Sequence, residues 1–85
     1  MTEIQKITLR DVLRQEGLSE RRIEDVFLLL RYKPEHVQLV FYYAAQGWTQ
    51  TDVALLLGTS QRTVHYHLNV TLFEVRTYLK ENALS

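Results

Sequence analysis

TQTDVALLLGTSQRTVHYHL, residues 49–68, has the pattern of two helices joined by a three-residue turn. Thr49 is a favourable N-cap, and Asp52 stands three residues later, where it can complete a capping box. Gly58 stands where a helix can end in the left-handed conformation, and Ser60 is suited to cap the next helix. These features predict a helix-turn-helix, whose second helix is the element that usually enters a DNA major groove.

The apolar side chains of this stretch are spaced so that each helix buries one face. Ala54 is small enough to let the two helices cross closely, and Trp48 and Val53 stand at the two positions of a hydrophobic staple. The predicted faces comprise Val53, Ala54, Leu56 and Leu57 on the first helix and Val64, Leu68 and Leu72 on the second.

Three more helices are predicted before this pair. Thr8 is the expected N-cap of the first, with Asp11 in the capping-box position. Ser19 is the expected N-cap of the second, and Pro34 suits the first helical position of the third because its missing N–H costs nothing there. The predicted ranges are 9–16, 20–32 and 34–46.

These elements predict an all-α fold, because strand-like alternation is absent. We expect a five-helix bundle that contains a helix-turn-helix with a long C-terminal recognition helix, running from Gln61 to about Glu81. A single compact domain is expected for 85 residues. Within it, residues 1–33 form a helical pair that packs on the helix-turn-helix region, residues 34–85.

The composition limits the classes of protein and site. There is no cysteine, which excludes disulfides and thiolate zinc sites. No apolar run approaches the roughly 20 residues that span a bilayer, and the N-terminus lacks the apolar core of a signal peptide. We therefore expect a cytoplasmic protein without a membrane partner.

The charge balance is unusual for a small DNA-binding protein. Ten basic and ten acidic side chains cancel, whereas many DNA-binding domains carry a basic excess. After residue 33 the only basic side chains are Arg62, Arg76 and Lys80. A single copy should bind DNA modestly, and a homodimer would compensate for this.

Several apolar side chains exceed what one core requires. They are Leu28 and Leu29 in the second helix, Leu39, Tyr42 and Tyr43 in the third, and Val70 and Phe73 in the fifth. Either the bundle buries its central helices on two sides, or these residues form a dimer or partner surface, since contiguous exposed apolar patches are rarely left uncovered.

Metal binding and catalysis are poorly supported by the residues. His65 and His67 are two positions apart, so they point in different directions on a helix. Ser60 is better explained as a cap than as a nucleophile, and no phosphate loop or acid–base pair is evident. We expect neither an enzyme nor a metal site, and no cofactor is indicated.

The segment from Pro34 to Glu81 resembles region 4 of bacterial sigma factors and, almost equally, the LuxR/GerE-type helix-turn-helix. The similarity rests on PEHVQLVFYYAAQG and on the following WTQTDVALLLGTSQRTVHYHL, in which Thr63-Val64 and Leu68 match the recognition-helix core. The ending VRTYLKE is more like a sigma region 4. Fewer basic residues follow Arg62 than those families usually carry.

This resemblance implies transcriptional regulation by binding double-stranded DNA. It assigns base-facing positions to Gln61, Arg62, His65, Tyr66 and Asn69. It assigns phosphate contacts to Thr49, Gln50, Ser60 and Thr63. Arginine suits a guanine edge, and glutamine or asparagine suits adenine.

Two other functions remain open at this stage. One is a protein-interaction module with the same fold, which docks RNA polymerase or a sigma factor through its apolar patches. The other is the DNA-recognition subunit of a phage packaging enzyme, which would form a ring.

Overall fold

A computed structural model describes residues 1–82, and these residues form five helices with no strand. The all-α class is confirmed. No helix in this part of the chain is long and apolar enough to cross a membrane. The helices are α1 (Glu3–Gln15), α2 (Glu20–Leu30), α3 (Glu35–Ala45), α4 (Gln50–Leu57) and α5 (Gln61–Asn82).

Helix α1 begins six residues earlier than predicted, and Thr8 is not its N-cap. The Thr2 hydroxyl accepts a hydrogen bond from the Gln5 amide (3.2 Å), and the Gln5 side chain accepts one from the Thr2 amide (2.8 Å). This reciprocal capping box satisfies two amides that a helix start leaves unpaired. Thr8 lies inside the helix, where its hydroxyl donates to the Ile4 carbonyl (2.9 Å).

The starts of α2 and α3 agree with the sequence to within one residue. The Ser19 hydroxyl accepts from the Arg22 amide (3.4 Å), which confirms Ser19 as the N-cap of α2. Pro34 stands at the N-cap of α3, one position before the predicted one. Helix α2 ends at Leu30 rather than at residue 32. A proline disfavours helical backbone in the residue before it, here Lys33.

Two clusters of buried side chains hold the helices together. The larger joins α1, α2, α3 and α5 through Leu9, Leu13, Ile23, Val26, Leu30, Phe41, Tyr42 and Val75. The smaller joins α3, α4 and α5 through Val40, Val53, Ala54 and Val64. Because α3 and α5 contribute to both clusters, they connect the N-terminal pair to the α4–α5 pair. The division at residue 33 stays a prediction, and residues 83–85 of the second region lie outside the described residues.

The surplus apolar side chains divide between core and surface. Tyr42 is buried, and Leu29, Leu39 and Tyr43 are half-buried, as expected if the bundle covers its central helices on two sides. Three others are solvent-exposed: Leu28, Val70 and Phe73. Part of the surplus therefore belongs to the core, and a dimer or partner surface at the exposed side chains stays a prediction.

Leu56 was predicted to be buried on α4, and this is wrong, since half of it (51%) is exposed. Val53, Ala54 and Leu57 turn inward on this eight-residue helix. At 3.6 residues per turn, Leu56 lies more than a quarter-turn from the centre of that face. Val53, Ala54 and Leu57 pack in the cluster shared with α3 and α5, whereas Leu56 faces solvent with its neighbour Leu55.

Candidate nucleic-acid interface

The turn between α4 and α5 is built from the residues that the sequence indicated. Gly58 ends α4 with φ 69° and ψ 34°, in the left-handed region. The Thr59 amide then donates back to the Ala54 carbonyl (3.0 Å). The Ser60 hydroxyl accepts from the Thr63 amide (3.2 Å), which caps α5. The direction in which α5 leaves the turn is therefore set by a left-handed glycine followed by a capped helix start.

Thr49 caps the N-terminal end of α4 as predicted, but the described residues show only its half of the predicted capping box with Asp52, and Trp48 has a different partner. The Thr49 hydroxyl accepts from the Asp52 amide (3.1 Å). The predicted staple pairs Trp48 with Val53. In the structure the Trp48 ring packs on the Tyr43 ring at the end of α3, with 4.7 Å between ring centroids. The Trp48 amide also donates to the Tyr43 carbonyl (3.1 Å). Trp48 thus connects α3 to the start of α4.

Helices α4 and α5 are held against each other by small side chains. Val53, Ala54 and Val64 are all buried in the smaller cluster, together with Val40 of α3. Branched and small side chains at such a contact let two helix backbones approach closely. The pair is thus positioned by packing as well as by the turn.

The predicted base-facing residues lie on the side of α5 that faces away from this cluster. All five are exposed, while Val64 between them is buried: Gln61, Arg62, His65, Tyr66 and Asn69. At 3.6 residues per turn these five fall within less than half of the helix circumference. The structure therefore brings the predicted set together on one accessible face.

The four predicted phosphate-contacting residues differ in solvent exposure. Thr49 and Ser60 are exposed, and Gln50 and Thr63 are half-buried. The Ser60 and Thr63 hydroxyls lie 2.9 Å apart and hydrogen-bond to each other. Their hydroxyl groups are therefore partly used in capping α5, and the backbone amides at the helix starts are the freer donors.

A chain of three polar side chains joins the start of α4 to the exposed face of α5. Nδ1 of His65 lies 3.2 Å from Oε1 of Gln50. Nε2 of the same ring lies 2.8 Å from Nδ2 of Asn69, one turn further along α5. Three of the predicted site residues are thus in hydrogen-bond contact; the His65–Asn69 spacing allows this within one helix, whereas the 15-residue separation of Gln50 and His65 did not indicate it.

The other histidines form an aromatic contact. The His67 ring makes an edge contact with His36 of α3, with 5.1 Å between centroids, and lies 5.5 Å from the Tyr66 ring. Within residues 1–82 no group of three histidine, aspartate or glutamate side chains is placed to hold a metal ion. The His67 ring thus contacts both His36 of α3 and Tyr66.

Most ion pairs among the described residues lie within and between α1 and α2. Arg10 bonds Glu20 and Glu24, and Arg14 bonds Glu20 and Asp11. The Arg14 guanidinium holds the pKa of Glu20 below its ordinary value, and Glu20 in turn raises the pKa of Arg14. These basic side chains are therefore neutralised within the fold.

The cations of α5 are arranged differently. Arg62, Arg76 and Lys80 are exposed and form no ion pair with any side chain that the structure describes. Arg76 and Lys80 follow Arg62 by about four and five helical turns, so all three share one side of the helix. The spacing of these three residues in the sequence could have indicated that they share one side of α5. The neutral net charge concealed a basic side of α5.

The chain is similar to parts of two bacterial regulators. It is 33% identical over 66 residues to the transcriptional activator protein AhyR of Aeromonas hydrophila and, equally, to AsaR of Aeromonas salmonicida. The matched segment is 78% of this chain and 20% of each activator. This chain therefore spans about a fifth of the length of these relatives.

A similar segment also occurs in a very different protein. The chain is 39% identical over 66 residues to the E3 ubiquitin-protein ligase ubr1 of Schizosaccharomyces pombe, of which the segment is only 3%. No family model matches the chain, and no solved structure matches it.

Proposed function

We propose that this chain is a DNA-binding region of a transcription regulator and that α4 and α5 form its helix-turn-helix. The observation that carries the proposal is the exposed face of α5, where Gln61, Arg62, Tyr66 and Asn69 project immediately after the capped turn. The similarity to two transcriptional activators supports the same function. The likeness to sigma region 4 stays a prediction.

The chemistry of the face suits the edges of bases in a major groove. Arg62 can donate two hydrogen bonds to a guanine, and Gln61 or Asn69 can make a paired contact with adenine. Arg62 has no carboxylate partner among the described side chains, so binding DNA breaks no ion pair. Base readout is therefore assigned to the first turns of α5.

Phosphate contacts are assigned to the starts of the two helices. Free backbone N–H groups at a helix N-terminus attract anions, helped by the helix dipole. Gln50 stands at the first position of α4 and Gln61 at the first position of α5. Arg76 and Lys80 extend the positive side of α5 beyond the turns that would occupy the groove. A homodimer would double these contacts and read two half-sites about one or more helical turns apart.

The experiment is selection from a random-sequence duplex pool at low salt, followed by affinity measurement on the enriched site. Arg62→Ala should weaken specific binding by roughly 1–3 kcal/mol and relax the preference at one base pair. Arg21→Ala is the matched control, because Arg21 is an exposed arginine of α2 without an ion pair to a described side chain. Equal losses in the two variants, or no enriched sequence, would refute the proposal.

The second candidate function is docking of a partner protein, and the second half of α5 favours it. Phe73 is 71% exposed and Val70, three residues earlier, is 36% exposed. RNA polymerase or a sigma factor remains the partner class that we consider. Phe73→Glu should then abolish association with the partner or with a second copy while leaving the fold intact. Association that resists salt would favour this function, since DNA affinity falls steeply as salt rises.

A further inference from the structure

We infer that His65 is a positioning residue of the DNA interface and not a base-reading one. Its neutral ring, protonated at Nδ1, fixes the side-chain amides of Gln50 and Asn69 so that each presents the atoms that its DNA partner requires. This inference rests on the proposed function. It changes the role that the family resemblance implied for His65.

Both ring nitrogens of His65 are already used within the protein. Nδ1 faces the Oε1 atom of Gln50 at 3.2 Å, and Nε2 faces the Nδ2 atom of Asn69 at 2.8 Å. An amide oxygen only accepts hydrogen bonds and an amide nitrogen only donates them. Nδ1 must therefore carry the hydrogen and Nε2 must accept. No ring nitrogen is left to bind a base edge.

Asn69 keeps the pair of atoms that reads adenine. One of its two N–H groups donates to His65. The carbonyl oxygen Oδ1 and the second N–H remain available. A paired contact with adenine needs one acceptor for the N6 amino group and one donor for N7. The hydrogen bond to His65 therefore orients the amide and leaves this donor–acceptor edge outward.

Gln50 keeps two donors, which is what a phosphate oxygen needs. Its Oε1 atom accepts from His65, so both N–H groups of the amide are left. They lie at the first position of α4, beside the backbone amides that we assign to phosphate. The same ring thus orients a phosphate-binding amide on one helix and a base-reading amide on the other.

The opposite tautomer would disfavour both contacts. With the hydrogen on Nε2, both amides must turn over to keep their bonds to the ring. Gln50 would then direct its Oε1 atom toward a phosphate oxygen, and both atoms are hydrogen-bond acceptors. Asn69 would exchange the positions of its donor and its acceptor, so that they meet N7 and N6 of adenine in the wrong order. Binding to DNA should therefore select the Nδ1–H tautomer that we infer.

The first test needs no DNA. Long-range ¹H–¹⁵N correlation NMR on the free chain at neutral pH reports which ring nitrogen of His65 carries hydrogen. We expect a protonated Nδ1 and an unprotonated Nε2 that accepts a hydrogen bond. Protonation at Nε2, at both nitrogens, or in rapid exchange between them would overturn the inference.

The second test is a double-mutant cycle on the selected DNA site. His65→Ala should lower the preference for adenine at the position read by Asn69 about fivefold or more, which is the lower end of the discrimination given by a bidentate pair. Its salt dependence should be unchanged, because no charged contact is removed. In an Asn69→Ala background the same substitution should have no further effect on that preference.

The control is His36→Ala, which removes an exposed histidine on α3. It should leave adenine preference unchanged, and thermal melting of all variants checks that they fold. Additive losses in the cycle would mean that His65 contacts bases itself, and the inference alone would fail. If the parent chain binds no duplex, the proposed function fails and the role of His65 fails with it.

Discussion

Val64 and Val70 provide a direct measure of how α5 packs on the rest of the bundle. Both are valines of the same helix, but Val64 is 1% exposed and Val70 is 36% exposed. Val64 contacts the cluster that holds α3, α4 and α5 together. Val64→Ala removes two buried methylene equivalents, which costs about 1.6 kcal/mol at about 0.8 kcal/mol each.

Two further effects modify this value. The cavity left in the small cluster raises the cost to about 2.5 kcal/mol, because the surrounding helices relax only partly. Alanine is the better helix former, and this offsets about 0.5 kcal/mol of the lost stability. The expected net loss for Val64→Ala is therefore about 2 kcal/mol. Val70→Ala leaves no closed cavity, and the higher helix propensity of alanine offsets part of the lost apolar burial in the same way. Its expected loss of stability is therefore about 0.5 kcal/mol.

Urea unfolding followed by circular dichroism separates the two variants. With a slope of about 1 kcal/mol per molar urea, the midpoint should fall by about 2 M for Val64→Ala and by about 0.5 M for Val70→Ala. The matched substitution cancels the difference in helix propensity between valine and alanine. Equal shifts in the two variants would show that α5 does not bury the face assigned to it.

Substitutions at four further positions test three separate features. Gly58→Ala should lower stability in thermal unfolding by about 1 kcal/mol, and Gly58→Asn should lower it less. Nothing lies within 4 Å of an added Cβ, so only the left-handed backbone disfavours a side chain at this position. Equal stability of the parent and the alanine variant would contradict this. Thr2→Ala should lower stability by about 1 kcal/mol, and Thr8→Ala should lower it clearly less, if α1 begins at the observed capping box. The bond to Arg14 keeps the pKa of Glu20 below its ordinary value, so its contribution to stability is present above that ordinary value and is lost as pH falls through the lower folded-state value. Glu20→Gln should therefore flatten the acid side of a stability–pH curve, and an unchanged slope would argue against this pair.

The pairing of charges explains why a net charge of zero does not indicate a basic side on α5. The N-terminal half holds most of the basic side chains, but Arg10 and Arg14 are paired with carboxylates there. On α5 the three cations share one side and lack such partners among the described side chains. The local potential of a surface depends on which charges are paired, and a sum over the chain does not report that.

Local sequence patterns predicted the elements well where the signal was a cap or a turn. Ser19, Thr49 and Ser60 accept the predicted capping hydrogen bonds, and Gly58 adopts the predicted left-handed conformation. Each of these depends on residues three or four positions apart, so the chain specifies it locally. The prediction of Thr8 as the N-cap was wrong because Thr2 offers a competing cap, and the five residues between them are also compatible with a helix.

Side-chain partners across the fold were decided only in three dimensions. The same apolar sequence pattern gave a buried Tyr42 and an exposed Leu56, because burial depends on how many faces of a helix are covered by neighbours. Trp48 lies on Tyr43 rather than in the predicted staple. Gln50 and His65 are 15 residues apart and meet because α4 crosses α5 at Ala54 and Val64.

Sequence patterns alone therefore predicted the starts of α2 to α5 to within one residue, the turn before α5 and the residues that α5 exposes in its first turns. Helical spacing and capping act over a few residues, so they can be read along the chain. The tertiary structure alone decided which charges are neutralised, which apolar side chains remain on the surface and how His65 joins Gln50 to Asn69. Those properties arise between segments distant in sequence, where packing of the whole bundle selects the partners.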